Sequence, residues 1–97
     1  MFIQIIDFET DNLEEGRKYV EEYRANTKGK RTATNGILAK DRDNPGRYLN
    51  IVFFPSYEDA MKNSEMPETQ ELAGRLAGLS RRAPSFINLD IVEEFKD

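Results

Sequence analysis

The chain opens on FIQIIDFE, residues 2–9, a run rich in β-branched and aromatic residues that predicts a strand. The period then changes. Leu13, Gly16, Val20 and Tyr23 recur at helical spacing, with Glu14, Glu15, Arg17, Lys18, Glu21 and Glu22 on the other side, so an amphipathic helix is predicted from an N-cap at Asp11 to near Thr27. Gly16 costs a helix about 1 kcal/mol relative to Ala, and its place on the apolar stripe predicts a close helix-to-sheet contact in compensation. Residues 31–41 predict a second strand, with Asn35-Gly36 a candidate bulge. DNPG, residues 43–46, sets Pro45 and Gly46 where a type II turn wants a fixed φ and then a positive one. It should reverse the chain into RYLNIVFF, residues 47–54, as an antiparallel hairpin.

Ser56 and Asp59 form a capping-box-like start to a short helix with Tyr57, Ala60 and Met61 on one face. Pro67 suits the first turn of a further helix, where its missing N–H does no harm, and Thr69, Leu72, Ala73, Leu76 and Leu79 give that helix its stripe. After Pro84, SFINLDIVEEF predicts a last strand reaching about Phe95. The order β-α-β-β-α-α-β fits an α+β, ferredoxin-like split β-α-β sandwich: a four-stranded antiparallel sheet with every helix on one face.

Alternation divides the strand residues between two faces. One parity carries Ile3, Ile5, Leu49, Ile51, Phe53, Ile87, Leu89 and Ile91; being nearly pure aliphatic, it is predicted to lie under the helices. The other carries Phe2, Gln4, Ile6, Phe8, Tyr48, Asn50, Val52, Phe54, Phe86, Asn88, Asp90 and Val92. Its aromatic and aliphatic members would be costly to leave wet, at about 1.5–3 kcal/mol for each buried Phe or Val. With all helices committed elsewhere, a second copy is predicted to cover it in a face-to-face homodimer.

Composition narrows the possible functions. A chain of 97 residues with 38% hydrophobic and 33% charged residues is expected to be one soluble domain, 1–97. A net charge of −4 disfavours nucleic acid as a partner, and KGKR at residues 28–31 and the Arg81-Arg82 pair read as solvated loops. No apolar run approaches a membrane span, and no basic stretch followed by a long apolar run marks a secretory signal. A cytoplasmic location is the resulting expectation.

Candidate chemistry is sparse. With no His and no Cys, the commonest neutral-pH base, the commonest metal ligand and thiolate chemistry are absent. No metal or cofactor is expected; DRDNPG, residues 41–46, has Pro45 at a calcium-ligand position and Val52 where a bidentate Glu belongs. The remaining candidates lie on the aromatic parity. Gln4, Asn50, Asn88 and Asp90, with Tyr48 and Thr34 nearby, could satisfy one another and fix dimer register, or could line a ligand cavity walled by Phe54 and Phe86. If catalysis occurs, Asp90 is the candidate acid or base provided it is buried, and Tyr48 and Asn88 are candidate polarising groups.

DRDNPGRYLNIVFFPSYEDAMKNSEMPETQELAGRL together with FINLDIVEEF resembles the dimeric α+β barrel superfamily, in its antibiotic-biosynthesis-monooxygenase-like branch, and particularly its small bacterial members. The resemblance covers nearly the whole chain. It implies a dimer whose sheets close into a barrel, with no cofactor, and chemistry that ranges in that superfamily from oxygenation of aromatic polyketides to haem degradation, isomerisation and cyclisation. Haem degradation there depends on a His and a Trp, and some cyclases use a His base; this chain has neither residue. An oxygenase of an electron-rich phenol, whose substrate carbanion itself meets O₂, is compatible. Three functions follow: a binder of a small, partly aromatic molecule held between sheet and helices or at the dimer interface, a cofactor-independent monooxygenase, or a purely structural interaction module.

Overall fold

A computed structural model describes residues 1–97. The elements run β1 (Phe2–Glu9), α1 (Leu13–Asn26), β2 (Asn35–Lys40), β3 (Arg47–Phe54), α2 (Tyr57–Glu65), α3 (Pro67–Leu79) and β4 (Ser85–Asp90). The four strands form one antiparallel sheet in the order β2-β3-β1-β4. This is the predicted ferredoxin-like arrangement. The hairpin turn forms as read: Arg47 N–H donates to Asn44 O at 3.1 Å and Gly46 takes φ +87°.

Helix starts follow local hydrogen bonding. Ser56 Oγ accepts from Asp59 N–H at 3.1 Å and caps α2, a contact worth about 1 kcal/mol. Pro67 opens α3 as predicted. For α1 the cap is Asn12, whose Oδ1 accepts from Glu15 N–H at 3.3 Å, and not Asp11. Asp11 is drawn away by Arg81, Nη2 to Oδ1 2.7 Å. Gly16 meets α3 and not the sheet: a Cβ there would lie 3.4 Å from Leu76 Cδ2 and 3.9 Å from Leu79 Cδ1.

Two strands are shorter than predicted. Residues 31–34 turn toward α2, where Thr32 Oγ1 donates to Asp59 O at 2.6 Å and Thr32 N–H to Asn63 Oδ1 at 3.4 Å. Asn35 and Gly36 then pair in continuous register with Phe53 and Val52, without a bulge. β4 ends at Asp90 because its neighbour β1 begins opposite, at Phe2. A ladder cannot outrun its partner.

The face assignment is reversed. Phe2 and Phe54 pack with Ala60 of α2 into the buried core, joined by Val52, Met61 and Ala33, and Tyr57 sets its ring edge-on to Phe2 at 5.5 Å. The helices therefore rest on the aromatic parity. Both crossovers, β1-α1-β2 and β3-α2-α3-β4, connect strands that run parallel, and the right-handed rule for such connections places their helices on the same side. The wide rings of Phe2 and Phe54 fill the sheet-to-helix gap, while the aliphatic parity stays open: Ile37, Ile87 and Leu89 are each about half exposed. Val52, expected to need a partner chain, is covered by α2.

Candidate functional site

The helix-facing side of the sheet collects every candidate residue from β1, β3 and β4. Register sets Gln4 beside Val52 on one flank and Asn88 on the other, with Ile6 between Asn50 and Phe86 in the next row. Gln4 Nε2 donates to Asn88 Oδ1 at 3.2 Å. Tyr48 lies opposite Phe8, and their rings stack with centroids 5.7 Å apart and planes 28° from parallel. Leu38 of β2 sits beside Asn50. The result is a floor of two stacked rings, three aliphatic side chains and three amides. Phe86 at its β4 border is 57% exposed, leaving ring surface for a planar contact.

Other expected members do not join this floor. Phe54 is 2% exposed within the α2 core, so it is a packing residue and offers no wall. Asp90 stands opposite Phe2 at the strand end and is exposed, so the burial on which its acid or base role depends is absent. Thr34 donates to Asn35 Oδ1 and Phe53 O and does not reach the amides. Of the four-membered amide and carboxylate network, the Gln4–Asn88 bond alone is formed.

A second polar assembly lies on the open parity. Arg47 grips Asp7 with two hydrogen bonds and reaches Asp41 Oδ2 with Nη1 at 2.7 Å. Arg82 Nη2 donates to Asp7 Oδ1 at 2.7 Å, and Arg82 Nε donates to Glu9. Arg81 holds Asp11 and the Pro45 carbonyl. Arg81 and Arg82 are thus not a solvated loop; they tie the hairpin turn, the end of β1 and the α3–β4 connection together. The hydrogen bond from Arg47 holds the Asp7 carboxyl below its usual range, against an opposing effect of desolvation and with help from Arg82. Asp41 falls to about 2, first through the Asn44 amide, then through Arg47 and the Asp43 N–H. The sequence signal was the pair of acids two apart on β1, on the parity otherwise reserved for aliphatics.

The larger concavity, about 630 Å³, opens on the aliphatic face between Ile3, Phe53 and Leu89 and the segment after β4; of the candidate residues it includes Asp90 alone. No helix is long and apolar enough to cross a membrane.

Solved structures reproduce this architecture. A cofactor-independent oxygenase from Streptomyces nogalater superposes with a TM-score of 0.81 at 13% identity, covering 99% of this chain and 97% of its own. The fold is that of antibiotic-biosynthesis-monooxygenase-like proteins. A Deinococcus radiodurans protein provisionally assigned to that group gives 0.80 at 12% identity over 100% and 98% of the two chains. A Mycobacterium tuberculosis protein, Rv0793, gives 0.78 at 14% identity over 98% of each. No family profile and no curated protein matches the chain in sequence.

Proposed function

We propose that the protein is a homodimer, joined through its aliphatic sheet face, that binds a small, planar, partly aromatic molecule between the other face and the helices. The observation that carries the binding reading is the shared floor: the Phe8–Tyr48 stack, the Gln4–Asn88 amide pair, Asn50 and the exposed Phe86 ring all lie on one face. Aromatic walls with a few convergent amides suit a flat ligand carrying carbonyl or hydroxyl groups. Of the two placements open from the sequence, between sheet and helices or at the dimer interface, this reading takes the first.

The dimer reading rests on area. A chain of 11.2 kDa exposes 6875 Å², whereas a folded monomer of that mass ordinarily exposes about 5,700 Å². The excess, about 1,200 Å², is enough for one side of a standard interface of about 800 Å² per partner. The half-exposed isoleucines and leucine of the open face and the segment that follows β4 contribute to it.

Titration of isotope-labelled protein with a panel of planar phenols and naphthols tests the binding reading. Chemical-shift changes at the side-chain amides of Gln4, Asn50 and Asn88 are expected, and Asn50→Leu should abolish them. Binding that leaves these amides unmoved, or that survives Asn50→Leu, overturns the assignment.

The likeness to the Streptomyces nogalater oxygenase favours a second reading, cofactor-independent monooxygenation of an electron-rich aromatic. In it Tyr48 and Asn88 would polarise a bound phenol. Oxygen uptake with such phenols, lost in Asn88→Ala, supports this reading; no uptake across the panel removes it.

A further inference from the structure

Resting on the binding reading above, we propose that Lys40 anchors a carboxylate of the bound molecule, so that the ligand is an aromatic acid lying on the Tyr48–Phe8 stack with a second polar group at Asn50. The register of β2 sets Gly36, Leu38 and Lys40 on the helix-facing parity, beside Val52, Asn50 and Tyr48. Lys40 therefore closes the row that runs through Tyr48 to Phe8. It is the single cationic side chain that the strands place on that face. The one acid there, Asp90, stands at the opposite corner, in the row of the buried Phe2 and Phe54.

Nothing in the protein takes up this charge. Lys40 is exposed and joins none of the ion pairs. The acids at its end of the sheet, Asp7, Glu9 and Asp41, belong to the other parity and are held there by Arg47 and Arg82. Leu38, next to Lys40 on the helix-facing side of β2, is 46% exposed, so the helices leave this border of the floor open. A molecule entering over it meets Leu38 and Lys40 before the amides. Across an antiparallel pair Lys40 and Asn50 are diagonal neighbours, about 7–8 Å apart at the backbone, and the lysine stem is flexible enough to adjust. An ammonium and a carboxamide so placed suit a fused-ring acid with a hydroxyl or carbonyl opposite its carboxylate. A phenol keeps its proton at neutral pH, its pKa being about 10. A carboxylate therefore gives Lys40 the full opposite charge, and a charge-assisted hydrogen bond is about twice as strong as a neutral one.

Isotope-labelled full-length protein is titrated with a hydroxynaphthoate that carries its hydroxyl and carboxylate at opposite ends, and with the neutral carboxamide of the same ring. Affinity is read from the side-chain amide shift of Asn50 in the wild type, Lys40→Met and Lys40→Arg. The wild type is expected to bind the acid about tenfold more tightly than the carboxamide. Lys40→Arg should keep most of that preference and Lys40→Met should lose it, with carboxamide affinity alike in all three. A lysine that serves only to discourage pairing at a sheet edge predicts no dependence on ligand charge. Equal affinity for acid and carboxamide in the wild type, or a preference that survives Lys40→Met, overturns the anchor and leaves the binding reading standing. No shift at Asn50 with either compound overturns both.

Discussion

Arg47 clasps Asp7 across the β1–β3 ladder, Nε to Oδ1 at 3.1 Å and Nη2 to Oδ2 at 2.7 Å, with the Asp7 side chain only 14% exposed. Both Asp7 and its neighbour Asp41 are held below the ordinary carboxylate range. An unfolded Asp takes up its proton near pH 4. As pH falls below that, the unfolded chain binds protons that the folded one refuses, so the stability these two groups contribute is complete above about pH 5 and is lost progressively toward pH 2. Urea unfolding midpoints measured from pH 7 to pH 3 should fall with pH, and Asp7→Asn should flatten the slope. An unchanged slope in Asp7→Asn contradicts the role given to this pair.

The hairpin turn is coupled to the arginine clamp through Gly46. Its φ of +87° disfavours any Cβ, and a Cβ there would lie 1.8 Å from Arg81 Nη2. Gly29 has a similar φ of +85° but open space around it. Each Gly→Ala change should destabilise by about 1–2 kcal/mol from backbone strain, with Gly46→Ala costing more because Arg81 must release Asp11. Adding Arg81→Ala should bring the Gly46→Ala penalty down to that of Gly29→Ala. Calorimetry of the single and double variants measures the coupling.

Phe54 and Phe86 sit on the same sheet parity with opposite roles. Phe54→Ala opens a cavity in the α2 core and should cost about 3–5 kcal/mol, unfolding the protein at modest urea concentrations. Phe86→Ala removes a largely exposed ring and should change stability by about 0.5 kcal/mol or less, while weakening binding of planar phenols. The reverse order of stabilities would show that the core and the binding floor have been confused.

Gly16 is a site where the chain can be improved. A Cβ there makes ordinary contacts with Leu76 and Leu79, and helix propensity favours Ala. Gly16→Ala should raise stability by about 0.5–1 kcal/mol in thermal or urea unfolding. A loss of stability would mean that α1 and α3 pack more tightly than these distances indicate.

Much of the fold was legible because short-range chemistry fixed it. Pro45-Gly46 determined the turn, Ser56 the start of α2 and Pro67 that of α3, and each is local in sequence. What depended on distant elements was not legible. Strand parity separates two faces but does not say which is roofed; that was decided where Ala60 and Met61 land on Phe2, Val52 and Phe54. The end of β4 depends on where β1 begins, so Ile91 and Val92 look like strand and are not paired in this chain. Alternation places Gln4, Tyr48, Asn50, Phe86 and Asn88 on one face of the sheet, as the register shows, but the Gln4–Asn88 bond follows from β1–β4 register. Arg47, Arg81 and Arg82 meet Asp7 and Glu9 only after three separate segments come together.

Helices roof the aromatic side of the sheet, and the proposed homodimer gives the aliphatic side its cover. Sedimentation equilibrium of the intact protein at micromolar concentration decides whether that second copy is there. A particle of twice the 11.2 kDa chain mass is expected, reduced to single chains by Ile87→Lys with Leu89→Lys. A stable, well-folded particle of one chain mass, with Ile37, Ile87 and Leu89 open to water, contradicts it.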